Sequence, residues 1–212
     1  MKHHEFVLIG DVIQSRKQFK PEAWDYFHQS IKKINEEFRS SIKIPFKIYS
    51  GDSFGGICVS VESAVDIVLA IQANHALHKS RLVLIEDEVS FGLETKNFLH
   101  LEGPALWKSN DLVANLKKST SFFLADLQNE LKTIAVNTIL NLILSIRNDW
   151  SEIEWAVYKH LGRDIKQKDL AEKLGVSQQY VSKISNKSKL KLVREAEKNL
   201  RQLLHGIDTT IH

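Results

Sequence analysis

Between Asp164 and Lys189 the chain reads DIKQKDLAEKLGVSQQYVSKISNKSK, a spacing that fits two short helices meeting at a tight turn. Ala171 is small where two helices must cross, Gly175 permits the left-handed backbone of the turn, and Val181 and Ile184 supply an inward face for the second helix. Ser177 stands where an N-cap would accept a hydrogen bond from an unpaired backbone amide. That leaves Gln178, Gln179, Tyr180, Ser182, Lys183 and Lys187 on the outer face. Glutamine pairs with base edges, whereas lysine and tyrosine hold phosphates without reading sequence. DNA is therefore the expected partner. Ser177, Gln178, Gln179, Tyr180, Ser182, Lys183, Lys187 and Lys189 form the expected contact set, with Gln178, Gln179 and Lys183 toward the major groove. A helical hairpin that only packs is the other reading of this spacing.

The charge is divided unevenly. From His160 to His205 there are eleven Lys or Arg against five Asp or Glu, while residues 1–159 hold eighteen against twenty. The overall net charge of +3 thus conceals a basic lobe on a near-neutral body, the distribution expected of one phosphate-binding region. No run approaches the roughly twenty apolar residues a membrane span needs, and the N-terminus lacks the pattern of a signal peptide. A cytoplasmic location with no membrane partner is expected. Cys58, alone in an apolar strand, has no internal disulfide partner and reads as a core residue. The nine histidines lack acidic or Cys partners at zinc spacing.

Residues 6–13 form a branched apolar run suited to a buried strand. Pro21 opens a helix whose Trp24, Phe27, Ile31, Ile34 and Phe38 share one face. Strands are expected at 46–49 and 54–59, joined as a hairpin through Ser50, Gly51, Asp52 and Ser53. A helix at 63–78, a strand within 83–94 and a helix from Pro104 to about residue 117 follow. This order is that of the split βαβ unit of ferredoxin-like sheets. Helices are expected at 127–146 and 150–161. The apolar stripe Leu127, Leu131, Ile134, Ile139, Leu142 and Ile146 suits a core or dimer helix, and a homodimer would present two half-site readers to an operator.

Asp11 lies near the end of the first strand and Asp52 in the hairpin turn, positions that a split βαβ sheet makes neighbours. Two carboxylates held together repel unless a cation lies between them, and Mg²⁺ or Mn²⁺ with phosphate ligands suits that arrangement. This is the metal logic of palm-type polymerases and cyclases. Gly10, Gly51, Gly55 and Gly56 would let phosphates approach the backbone, and Ser15, Arg16 and Lys108 are candidates to grip a nucleotide. Asp and Gly also favour turns, so each Gly-Asp pair has a second reading as a loop former.

The segments IGDVIQSRK, YSGDSFGG, VSFGLET, LEGPALWKSN and QKDLAEKLGVSQQYVSK, in this order, resemble the SatD family of small bacterial proteins. The resemblance implies a cyclase-like or palm-like domain joined to a helix-turn-helix, and marks Asp11, Ser15, Arg16, Gly51 and Asp52 as motif positions. Ser53 departs from the usual Glu and Asn110 from the usual Arg. The expectation is an α+β protein, with a ferredoxin-like, nucleotide-cyclase or palm-like domain over 1–125, a helical connector over 126–149 and an all-α helix-turn-helix domain over 150–212. Its expected function is DNA-binding regulation, with nucleotide or divalent metal as an input. The alternative is a metal-dependent nucleotidyl cyclase or nucleotidyltransferase controlled by its helical tail.

Overall fold

A computed structural model describes residues 4–13, 21–74, 76–160 and 166–209. The chain is an α+β protein built on a five-stranded mixed sheet. Strands β1 (His4–Val12), β2 (Ile42–Ser50), β3 (Ser53–Cys58), β4 (Ser80–Glu88) and β5 (Phe123–Asp126) lie in the order β2-β3-β1-β4-β5. All neighbours are antiparallel except β4 and β5, which run parallel. Helix α1 (Pro21–Glu37) joins β1 to β2, α2 (Val61–Gln72) joins β3 to β4, and α3 (Pro104–Lys117) makes the crossover that a parallel pair requires.

Alternation along the strands divides the core between two faces. Leu8 and Val12 of β1 join Leu82, Leu84 and Phe123 against Phe27, Ile31 and Ile34 of α1 and Val65 and Val68 of α2. Val7, Ile9, Val83 and Ile85 face the other way, toward Phe98 and toward Ala105 and Leu116 of α3. Cys58 belongs to the first face, is buried and free, and its thiol is pushed up to about 12 by burial.

Several boundaries differ from the expected ones because local hydrogen bonds decide them. Helix α2 begins at Val61 because Ser60 caps it, its hydroxyl accepting from Ser63 N at 3.1 Å. It ends at Gln72 rather than 78, and Asn74 then turns the chain by accepting from Ala76 N. Strand β4 starts at Ser80 and ends at Glu88, so Glu86, Asp87 and Glu88 lie inside it. The short β5 was not expected at all.

Both outer strands have their edges covered by asparagine amides. On β2, Asn35 of α1 donates to Phe46 O at 2.9 Å and accepts from Phe46 N at 2.8 Å, beside Pro45 and a break in register. On β5, Asn137 brackets Ala125 N and O in the same way, and Asn141 accepts from Phe122 N and Phe123 N while donating to Phe123 O. Asn137 lies in a π-helical turn (Val136–Leu140) between α4 (Glu130–Ala135) and α5 (Asn141–Asn148). Open strand edges invite pairing with other chains, and these amides occupy the groups that would do it.

The remaining helices are α6 (Glu152–His160), α7 (Gln167–Lys173), α8 (Gln178–Lys187) and α9 (Leu190–Thr209). Their apolar residues Val157, Leu170, Val181, Val193, Leu200 and Leu204 belong to the same cluster as Leu8 and Phe27, so core packing runs unbroken from the sheet into the C-terminal helices. Arg147 is pinned in that junction. Its Nη1 donates to Glu197 at 2.8 Å, its Nη2 donates to Leu69 O at 2.9 Å, and its guanidinium lies 4.7 Å from the centre of the Trp155 ring. Burial lowers the Arg147 pKa, with the Glu197 charge acting against that shift. The expected apolar stripe splits, since Leu127 is buried while Leu131, Ile134 and Leu142 are 67%, 55% and 62% exposed.

Two tests follow from this packing. In urea denaturation, Arg147→Met is expected to cost about 3–5 kcal/mol because it strands the buried Glu197 carboxylate, and adding Glu197→Met should restore most of the loss. Cys58 is expected to resist an aromatic disulfide reagent at pH 8 in the folded protein and to react within minutes in denaturant.

Candidate functional site

The turn between α7 and α8 is built from backbone bonds. Gly175 takes φ +67°, Val176 N donates to Ala171 O at 2.9 Å, and Gly175 N donates to Glu172 O at 3.1 Å, a Schellman ending for α7. Ser177 then caps α8 by accepting from Tyr180 N at 3.1 Å. Leu170, Ala171, Val181, Ile184 and Ser185 are buried between the helices. On the opposite side Gln178, Gln179, Tyr180, Lys183, Asn186, Lys187 and Lys189 are exposed, and Ser182 is half-buried. Lys189 stands apart from the helical face, in the link to α9 with φ +55°. The far end of α8 is anchored from α6 and its approach: Trp150 Nε1 donates to Ser188 O at 3.1 Å, and the Ser188 hydroxyl donates to Glu154.

The second candidate region is one end of the sheet. Asp11 pairs in register with Ser53 on β3 and with Arg81 on β4, and Val12 N donates to Asp52 O, which folds the hairpin turn over the strand end. The Asp11 carboxylate is buried. Its Oδ1 accepts from Ser53 Oγ at 3.2 Å and from Lys117 Nζ at 3.1 Å. Tyr49 reports the field there: burial, then the charges of Asp11 and Asp52, push its phenol up to about 12 against a hydrogen bond with Ser53. The two aspartates expected to be neighbours therefore both act on one phenol.

Other expected members of this site lie elsewhere. Lys108 is paired with Asp126 at 2.9 Å and Asp87 at 3.6 Å, and Asp87 stands opposite Glu5, at the other end of β1 from Asp11. Helix α3 carries Lys117, not Lys108, to the aspartate, because it runs antiparallel along β4. Gly10, Gly55 and Gly56 are covered by rings: a Cβ on them would lie 2.2 Å from Phe54, 2.2 Å from Phe98 and 2.9 Å from Phe46. Gly51, at φ +53°, has open space around its α-carbon. Ser15 and Arg16 lie outside the described residues.

Tyr49, Ile9, Phe98, Trp107, Ser109 and Asn110 help line a pocket of about 430 Å³ on this face of the sheet. Lys117 and Tyr49 were not among the expected site residues: Tyr49 opens the YSGDSFGG segment and Lys117 ends the expected helix, but packing brings them to Asp11. Among the described residues no group of three or more His, Cys, Asp or Glu is placed to hold a metal. Lys117 supplies a positive charge beside Asp11.

The phenolate absorbance of Tyr49, isolated by difference from Tyr49→Phe, is expected to be missing at pH 11. Asp11→Asn and Asp52→Asn should each move its titration downward, because each removes a negative charge that opposes ionisation. A Tyr49 titration that ignored both changes would separate the carboxylates from this phenol.

A search of curated proteins found no match to the chain. The family model for SatD matches residues 6–204, which include both the aspartate end of the sheet and the whole α7–α8 pair. The chain belongs to the SatD family.

Proposed function

We propose that this SatD protein is a DNA-binding regulator, in which α7 and α8 form a helix-turn-helix and α8 is the helix that enters the major groove. The observation that carries this reading is the division of α8 into a buried side of Val181, Ile184 and Ser185 and an exposed side of Gln178, Gln179, Tyr180, Lys183 and Lys187. The exposed side carries amides and ammonium groups and the helix has no carboxylate, within the most basic part of the chain. Gln178, Gln179 and Lys183 meet base edges, and Tyr180, Ser182, Lys187, Lys189 and the capped N-terminus at Ser177 position the helix on phosphates. A homodimer matches a two-fold operator, and the exposed Leu131, Ile134 and Leu142 offer an apolar face for it.

The sheet is read as a ferredoxin-like, palm-like domain. The order β2-β3-β1-β4 with antiparallel neighbours supports this, with β5 as an added edge strand. A nucleotide input is favoured by the buried Asp11, whose charge with that of Asp52 raises the Tyr49 phenol, and by the pocket that Tyr49, Trp107 and Asn110 line. The residues fit a two-acid Mg²⁺ or Mn²⁺ centre poorly: Ser53 replaces a second acid in the hairpin, and Lys117 is bonded to Asp11. Nucleotide binding without turnover is accordingly the reading of this site, and no catalytic step is assigned to it.

Binding to random-sequence duplex DNA, followed by fluorescence anisotropy across a salt series, tests the first claim. Lys183→Ala with Lys187→Ala is expected to weaken binding and reduce the slope of log K against log salt by about 1, near 0.9 for the phosphate contact of Lys187. An unchanged slope removes those lysines from the interface. Incubation with Mg²⁺ or Mn²⁺ and each nucleoside triphosphate is expected to yield no pyrophosphate. Release that disappears in Asp52→Ala would instead establish the enzyme.

A further inference from the structure

The pocket beside Tyr49 has a fixed wall and a wet aromatic rim. Phe98 is 5% exposed and packs over Gly55, and the Tyr49 ring lies against it with 5.7 Å between centres. Trp107, which lines the same pocket, is 62% exposed. It stands three residues before Asn110 on α3, so both side chains leave one side of that helix. A tryptophan left in water at the edge of a pre-formed pocket offers a plane on which a flat ring can stack.

The polar part of the lining favours a ligand rich in donors. Glu102 N donates to Phe91 O at 3.2 Å, and Glu102 O accepts from Ser90 N and Phe91 N at 2.8 Å and 3.1 Å, so its backbone is spent on a bridge between two segments of chain. Glu102 is exposed, and what it has left to offer the pocket is its carboxylate. An ionised carboxylate only accepts, and its two oxygens take a pair of adjacent N–H donors as they take the fork of an arginine. Guanine carries such a pair in its N1–H and 2-amino groups. Adenine presents an acceptor, N1, at the same place. Asn110 has both a donor and an acceptor and suits either base.

The field at the Tyr49 end is unfavourable to anions. Burial first, and then the charges of Asp11 and Asp52, push the Tyr49 phenol up to about 12 against its hydrogen bond with Ser53. Surroundings that oppose a phenolate oppose a phosphate in the same place. We propose that this pocket binds guanine nucleosides and nucleotides by the base alone, the ring stacked on Trp107 with its N1–H and 2-amino edge on the Glu102 carboxylate, and the phosphates directed away from Asp11 and Asp52. The proposal rests on the nucleotide-binding reading of this site and deepens it by naming the base.

Guanosine, inosine, adenosine, GTP and ATP are the probes, each titrated into the full chain without divalent metal. Quenching of Trp107 fluorescence, isolated by difference from Trp107→Phe, is the readout. Guanosine and GTP are expected to bind with similar affinity. Adenosine should bind about ten-fold more weakly than guanosine, the loss expected for a hydrogen bond to a charged group. Inosine, which keeps N1–H and lacks the 2-amino group, should fall between them. Glu102→Gln, with an unchanged melting temperature, should remove most of the preference for guanosine. Equal affinity for guanosine and adenosine, a preference that survives Glu102→Gln, or much tighter binding of GTP than of guanosine would overturn the proposal. Binding of GTP and ATP without preference sinks it while leaving the nucleotide reading standing, whereas no binding of any probe sinks both.

Discussion

The guanidinium of Arg147 is the point on which the arrangement of layers turns. It leaves water almost entirely, and a charge that does so needs partners, which Nη1 and Nη2 find while Nε is left without one. Here those partners come from different elements: Leu69 O from the helix behind the sheet, Glu197 from the last long helix, and the rings of Trp150, Trp155 and Tyr158 from the segment between them. Glu197 is completed in turn by the Tyr158 hydroxyl, whose own pKa is raised by burial and by that bond. Apolar burial makes the junction adhere, but it would tolerate sliding. A buried ion pair with directional bonds specifies one docking. The Arg201–Asp66 pair spans the same two helices, yet both partners are about 40% exposed, where such a pair contributes no more than about 1 kcal/mol.

This docking decides what the two ends of the molecule can do. With the C-terminal helices fixed against α2, the outer side of α8 faces away from the shared core, and Trp150 becomes both a cavity wall and a hydrogen-bond donor to the end of α8. The sheet, meanwhile, is closed at β2 by Asn35 and at β5 by Asn137 and Asn141. Those backbone groups are thereby occupied and cannot pair with another strand. The surfaces left for partners are helical faces and pockets, which is where the charged, aromatic and exposed apolar residues collect.

Features carried by neighbouring residues were legible in the sequence. Gly175 and Ser177 end one helix and begin the next through bonds that span only a few residues, and the hairpin around Gly51 and Asp52 is equally local. Asp11 and Asp52 were expected together because register in an antiparallel pair follows from a tight hairpin and an apolar pattern. Lys108 misled for a nonlocal reason: nothing in the chain near it tells which end of α3 reaches which end of β1. Strand β5 was missed because four residues are too few for a period, and its partners are a distant parallel strand and two asparagine side chains.

The amino-acid sequence by itself determined most element types, the α7–α8 turn, the basic segment and the buried identity of Cys58, since each depends on short-range sterics, capping or composition. Tertiary structure alone decided that Lys117 neutralises Asp11, that Phe54 and Phe98 cover the glycines meant for phosphates, and that Arg147 meets Glu197 and Leu69 O. These are distance relations between groups far apart in the chain. They come into being only when close packing leaves each side chain a single place to go.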